Sequence, residues 1–202
     1  MSKVLPENAS RAGTVAAAER SLARLRTDRI DLYLLHWEGP HPLADTLAAF
    51  ELLQRQGKIR AFGVSNFDAG ELASGMGLPA GGGIVANQVL YNLGRRWPEG
   101  RLLPSCRAAG VTVMAYSPLE QGGMKRSRAL AEVGERHGVS AAQVALAWTV
   151  REDGIVSIPK AAEPAHVREN AAAAAVRLGA EDLAALDRDF PPAREGAPLE
   201  TL

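Results

Sequence analysis

Short apolar runs alternate along the chain with longer segments whose apolar residues recur at helical spacing. The runs are Ile30–His36 (IDLYLLH), Ile59–Val64 (IRAFGV), Ile84–Tyr91 (IVANQVLY), Val111–Tyr116 (VTVMAY) and Gly154–Pro159 (GIVSIP), with a shorter one at Ser2–Leu5. Each is rich in Ile, Val, Leu or aromatic residues and has the length of a buried strand. Between them, Val15, Ala18, Leu22 and Leu25 share one face of a helix predicted over Thr14–Leu25. Leu43–Gln56 repeats that pattern and stops before Gly57, a residue suited to the left-handed turn that ends helices. Ser140 and Gln143 have the spacing of a capping box that opens a helix over Ala141–Glu152. Val167–Val176 and Asp182–Asp187 supply the last helical patterns, while Gly81–Gly83 and Pro191–Pro198 read as loop and tail. No linker divides the chain, so residues 1–202 are expected to form a single domain with a short tail over 190–202.

Strand, helix, strand, helix implies parallel strands joined by right-handed crossovers. Periodicity alone leaves a doubly wound sheet and a barrel both open. Polar residues favour the barrel. His36, then Ser65 and Asn66, Asn87 and Gln88, Tyr116 and Ser117, and finally Lys160 fall at the C-terminal ends of successive runs. Barrel active sites are assembled from those ends, and packing gives polar residues no reason to recur there.

Composition narrows the function classes. At 202 residues the chain is short for a barrel, which typically has about 250. A hydrophobic fraction of 47% and a charged fraction of 23% are those of a globular protein. Lys plus Arg and Asp plus Glu balance at 23 each, which argues against a chain built to coat nucleic acid or an anionic membrane. A single cysteine, Cys106, allows no internal disulfide and reads as a buried structural thiol near a helix end. Met1–Ser10 lacks the basic and apolar regions of a signal peptide, and no apolar run approaches the ~20 residues of a membrane span. The default location is the cytoplasm. His41, His137 and His166 form no metal-ligand spacing with His36. No G-x-G-x-x-G fingerprint is present, so a nicotinamide cofactor would not be held by a Rossmann module.

Five stretches in order carry a resemblance: IDLYLLHW at 30–37, GKIRAFGVSNF at 57–67, ANQVLYN at 86–92, GVTVMAYSPL at 110–119 and IPKAAEPAHVREN at 158–170. Together they resemble aldo-keto reductases from that family's third strand–helix unit through its eighth. The resemblance implies an α/β fold, a (β/α)8 TIM barrel truncated at its N-terminal side to about six strand–helix units. The strand near Lys3 and the strand ending at Pro159 would then be open edges, which are templates for oligomerisation.

The implied reaction is NADPH-dependent reduction of an aldehyde or ketone to an alcohol by direct hydride transfer, with no metal and no covalent intermediate. Ser65, Asn66 and Gln88 match the residues that hold the nicotinamide carboxamide; read without the family, such side chains often bond loop backbone instead. Tyr116 matches the aromatic stacked beneath the nicotinamide ring, and a core tyrosine is its alternative. Ser117 and Leu119 match positions near the pyrophosphate. Lys160 matches the lysine that reaches the 2′-phosphate, and a helix opening near Glu163–His166 offers backbone N–H groups to an anion. Arg168, Glu169 and Asn170 fall in the adenosine-binding helix. His166 stands where many members carry an arginine, and Ala161 lacks a hydroxyl some members use, so NADPH is favoured while NADH stays open.

Among catalytic groups, His36 matches the histidine that orients the carbonyl oxygen. Lys3 matches the lysine that lowers the pKa of the proton-donor tyrosine. That tyrosine and its aspartate lie in the family's first two units, and Tyr33, Tyr91 and Tyr116 do not match the donor. Three situations would account for this: a start assigned too late, a decayed remnant, or a gap closed by another chain. The first is favoured because strands, caps and rim residues all still agree with one fold. The alternative function is a catalytically impaired nucleotide-binding or regulatory barrel. The partner is expected to be a small carbonyl substrate and neither nucleic acid nor membrane. Its identity is unreadable because specificity sits in variable loops. Trp37 and Trp97 are candidate apolar walls, with loop anchoring equally open for Trp97.

Overall fold

A computed structural model describes residues 1–194 and 196–202, apart from the side chains of 125 and 126. Strands β1 (Ser2–Val4), β2 (Ile30–Leu35), β3 (Ile59–Ser65), β4 (Ile84–Leu90), β5 (Thr112–Tyr116) and β6 (Ile155–Ser157) fall on the six predicted runs. The helices are α1 (Arg11–Leu25), α2 (Leu43–Arg55), α3 (Ala69–Met76), α4 (Leu102–Ala109), α5 (Arg128–His137), α6 (Ala141–Thr149), α7 (Pro164–Ala172) and α8 (Ala180–Asp189). The α/β class read from the alternation is the class observed, and each described strand pairing is parallel.

Contacts group the chain into two compact units, Met1–Gln88 with Ser105–Thr112, and Val89–Pro104 with Val113–Leu202. In the first, β1 pairs with β2 (Lys3 opposite Leu34), β2 with β3 (Leu34 opposite Gly63) and β3 with β4 (Ser65 opposite Gln88). Gly63 is required by close approach: a Cβ there would lie 2.2 Å from the backbone oxygen of Ala86 on β4. Tyr33, Phe50 and Phe62 are buried and their rings meet in series, with centroids 5.6 and 5.4 Å apart, joining α2 to the sheet. Ser10 caps α1 by accepting from Gly13 N at 3.1 Å, so the helix starts three residues before the predicted Thr14. A second helix, α3, opens on a reciprocal capping box between Asp68 and Glu71.

In the second unit, β5 pairs with β6 (Ala115 opposite Ser157). Trp148 on α6 is 1% exposed, with the Arg151 guanidinium 3.9 Å and that of Arg96 4.9 Å from its ring centroid. Glu99 accepts from both arginines and from Tyr91 Oη, each at 2.9 Å, so the buried Arg96 and the half-buried Arg151 have a shared counter-charge. Tyr91, placed in a strand by its apolar run, lies just past β4 and serves this network. The capping box at Ser140 and Gln143 forms as expected, but α6 stops at Thr149 rather than Glu152. Helix α7 begins at Pro164, within the opening expected near Glu163–His166 and ahead of the apolar pattern from Val167, because proline is suited to the first helical position. It gives way to a 3-10 turn over Ala173–Ala175 in place of the predicted continuation to Val176. Gly81–Gly83, read as loop, is also a 3-10 turn.

Among the described residues β1 pairs only with β2 and β6 only with β5. No helix of the described residues is long and apolar enough to cross a membrane. Cys106 lies within α4, 1% exposed.

Candidate active site

The first unit brings five of the predicted residues to the C-terminal ends of adjacent strands. Lys3 is half-buried on β1, and burial lowers its pKa. His36 directly follows β2, and its N–H donates to Val4 O at 3.0 Å, which continues the ladder one residue further. Burial, and then the nearby Lys3 charge, lower the His36 pKa. Both effects disfavour a second positive charge, so at neutral pH His36 is a neutral imidazole able to donate one N–H. The Trp37 ring, 40% exposed, is tilted against it with centroids 4.4 Å apart.

Ser65 ends β3 and is 1% exposed; its Oγ donates to Gln88 O at 2.8 Å. Asn66 follows in the left-handed region at φ 58°, a conformation that asparagine tolerates better than most residues. Its Nδ2 donates to His36 O at 3.1 Å, and its backbone N–H donates to Gln88 O at 2.8 Å. These bonds to backbone are those expected of Ser and Asn at strand ends, and they lock the tips of β2, β3 and β4 together. The Gln88 side chain is 3% exposed, and its Nε2 lies 3.8 Å from Met1 Sδ. Asn87, its neighbour in the rim pattern, plays a structural part instead, with its Nδ2 donating to Phe67 O at 2.8 Å.

The second unit gathers a different set. Tyr116 ends β5; burial raises its pKa, and the backbone of Leu202 hydrogen-bonds it. Ser117 and Leu119 occupy the following loop, where Ser117 (φ 50°), Glu120 (φ 45°) and Gln121 (φ 52°) are left-handed. Leu119, Lys160, His166, Glu169 and Asn170 line one pocket of about 210 Å³. Arg168 is exposed on α7 and is not part of that lining. Glu169 is held by the Ser140 hydroxyl, and its backbone oxygen accepts from Gln143 Nε2 at 3.2 Å, so the capping box of α6 also fixes α7. The first turn of α7 has no side-chain cap. Pro164 brings no N–H there, which leaves those of Ala165 and His166 directed at the opening of the helix.

Other candidates take structural roles. Trp97 is 5% exposed and its Nε1 donates to Leu90 O at 3.0 Å, so it anchors its loop and is not a pocket wall. His41 Nε2 lies 3.3 Å from Glu7 O, and His137 Nε2 lies 2.7 Å from Asp182 Oδ2. Asn92, Arg95 and Glu120, which shape the loop carrying Ser117 and Leu119, escape the sequence reading altogether. The glycine pair at Gly122–Gly123 is the one local sign of an irregular loop there.

A model of the aldo/keto reductase family matches residues 1–188. The chain is 47% identical over 196 residues to "Methylglyoxal reductase YeaE" of Escherichia coli, covering 95% of this chain and 69% of that protein. It is 38% identical over 186 residues to "Glyoxal reductase" of Bacillus subtilis, covering 92% of this chain and 66% of that one. A solved aldo-keto reductase from Klebsiella pneumoniae, in complex with NADPH, superposes with a TM-score of 0.96 at 41% identity, covering 99% of this chain and 72% of that chain. The chain thus spans roughly two thirds of the length of the curated relatives it matches. With a family match over 1–188 and this level of identity, the chain belongs to the aldo/keto reductase family.

Proposed function

We propose that this chain carries the NADPH-binding and carbonyl-orienting part of a reductase that converts aldehydes or ketones to alcohols by direct hydride transfer. The observation that carries the reading is the pocket lined by Leu119, Lys160, His166, Glu169 and Asn170. These are residues at which the family resemblance puts the pyrophosphate, 2′-phosphate and adenosine. Their chemistry fits a phosphorylated ribose: an exposed ammonium at Lys160, an imidazole at His166, and the uncapped N–H groups that open α7.

The bound nicotinamide supplies the hydride. Ser65, Asn66 and Gln88 hold its carboxamide and so select the face that meets the substrate. Tyr116 offers a flat apolar surface for the ring. His36, kept neutral by burial and by Lys3, donates its N–H to the carbonyl oxygen and polarises it. Lys3 corresponds to the cation that, in this family, lowers the pKa of the proton-donor tyrosine, a residue with no match in this chain. Trp37, exposed beside His36, supplies an apolar wall. The relatives named methylglyoxal and glyoxal reductase favour small 2-oxoaldehydes as the substrate class. They lend the non-catalytic alternative no support.

The test is a fluorescence titration of the chain with NADPH and, in parallel, with NADH. Lys160→Glu is expected to weaken NADPH at least about tenfold, the scale of losing a charge-assisted phosphate contact, and to leave NADH nearly unchanged. Absence of saturable NADPH binding by the unaltered chain, or equal binding by Lys160→Glu, overturns the reading. Methylglyoxal-dependent oxidation of NADPH is then assayed on the same chain: no tyrosine in it matches the family's proton donor, so binding without turnover is expected, and turnover would mean that another group donates the proton.

A further inference from the structure

Three segments of the second unit meet at Arg95. From the turn after β4, Asn92 Nδ2 donates to Glu120 Oε2 at 2.6 Å and to Ser117 O at 2.9 Å, and Arg95 Nε donates to Glu120 Oε1 at 3.0 Å. From the tail, Glu200 Oε2 accepts from Arg95 Nη1 at 2.8 Å. The turn presenting these donors is itself tied, since Asn92 and Arg95 exchange backbone bonds and Asn92 Oδ1 accepts from Gly94 N at 2.8 Å. Asn92 is fully buried.

The loop so gripped is not one that its backbone prefers. Ser117, Glu120 and Gln121 are left-handed without being glycine, and such a conformation persists only where surrounding contacts impose it. Here the imposed contacts are the Asn92 and Arg95 bonds to Ser117 O and the Glu120 carboxylate. The tail arm reaches the same place. Two residues beyond Glu200, the backbone of Leu202 hydrogen-bonds Tyr116. A single guanidinium therefore joins the loop carrying Ser117 and Leu119 to the segment lying against Tyr116. The pairs are neither sealed nor free: the side chains of Arg95, Glu120 and Glu200 are 42%, 26% and 36% exposed. Water and salt can reach them.

We infer that Arg95 is a positioning residue, a two-armed latch that fastens the Ser117–Gln121 loop to the tail segment, so that cofactor leaves only when both arms open. The inference rests on the reading that Tyr116, Ser117 and Leu119 contact NADPH. The latch acts on the rate of release. Each arm is a partly exposed ion pair, so releasing one is expected to change that rate about two- to fivefold, and salt works against both.

The experiment follows NADPH fluorescence in stopped flow as excess NADP⁺ chases it from the full chain, with Arg95→Gln and Glu200→Gln beside the unaltered protein. Hydrogen exchange of segments 116–121 and 191–202 is measured on the same proteins without cofactor. Arg95→Gln is expected to release NADPH roughly five- to tenfold faster, and Glu200→Gln roughly two- to fivefold faster. Raising KCl from about 50 to about 500 mM is expected to speed release from the unaltered protein distinctly more than from Arg95→Gln. A merely structural role for Arg95 would leave that salt difference at zero. Exchange is expected to quicken in both segments for Arg95→Gln, and in 191–202 for Glu200→Gln. Release rates within twofold of one another, or identical salt slopes, overturn the latch. If the unaltered chain binds no NADPH, the proposed function fails instead; exchange that stays unchanged in both segments overturns the latch separately.

Discussion

Replacing Asp182 with asparagine should cost stability only at pH values where the carboxylate is charged. Asp182 sits in the first turn of α8, 6% exposed, and accepts from Arg136 Nε at 3.2 Å, Arg136 Nη2 at 2.5 Å, His137 Nε2 at 2.7 Å and Gly179 N at 3.0 Å. Burial alone would raise its pKa, but the bonds from Arg136, His137 and Gly179 outweigh that and draw it from 3.8 down to about 2. Nearly two pH units at ~1.36 kcal/mol each would amount to roughly 2.5 kcal/mol. The Arg136 side chain is 43% exposed, so solvent screens the pair and the contribution is nearer about 1–1.5 kcal/mol. The folded-state pKa is depressed, so this stability is present in full above the unfolded value of 3.8 and is lost as pH falls through about 2. Urea unfolding of both proteins across this range, read by circular dichroism, gives the difference directly. The Asp182→Asn side chain keeps the volume and one acceptor oxygen, so what is lost is the charge together with the second acceptor. A difference near zero at pH 7, or one that keeps its size at pH 2, would refute the account of Asp182 as a charged clamp between α5 and α8.

Gly63→Ala should destabilise by about 1–3 kcal/mol in the same assay, because its Cβ would stand 2.2 Å from Ala86 O and force β3 and β4 apart; a neutral result would mean that the strands tolerate the wider spacing. Cys106, 1% exposed and with its thiol pushed up to about 12 by burial, should resist a disulfide reagent at pH 8 until urea unfolds the chain. Rapid stoichiometric labelling of the folded protein would contradict that burial. Trp97→Phe keeps the ring but orphans Leu90 O, and should lower stability by about 1–2 kcal/mol while leaving NADPH affinity within about twofold.

Elements with a period of their own were legible in the chain. All six apolar runs became strands within two residues of their expected ends; β2, β3 and β4 are buried on both faces over most of their length, and such a strand must be apolar almost continuously. The capping box at Ser140 could be read as well, since its partners are three residues apart and need nothing distant to form. Helix α3 is the instructive omission. Its sequence, AGELASGM, has two glycines and no full apolar stripe, so it is held by the Asp68–Glu71 box and by burial of Leu72 rather than by periodicity. Among candidate site residues, His36, Ser65, Gln88, Tyr116 and Lys160 could be listed because each lies within three residues of the end of a strand, and strand ends are a local property.

What the chain alone could not decide was direction and pairing. Asn87 and Gln88 are adjacent and both polar, yet Asn87 turns to Phe67 O while Gln88 keeps the rim; successive strand residues face opposite ways, and only the register of β3 against β4 says which way is which. Trp97 could have lined a pocket until Leu90 O claimed its N–H. The Arg95 node joins residues 25 and 105 positions away along the chain. A side chain's partner at that range depends on where the backbone has been carried by everything between, so periodicity and spacing are silent about it, and it is tertiary structure that brings the two carboxylates to one guanidinium.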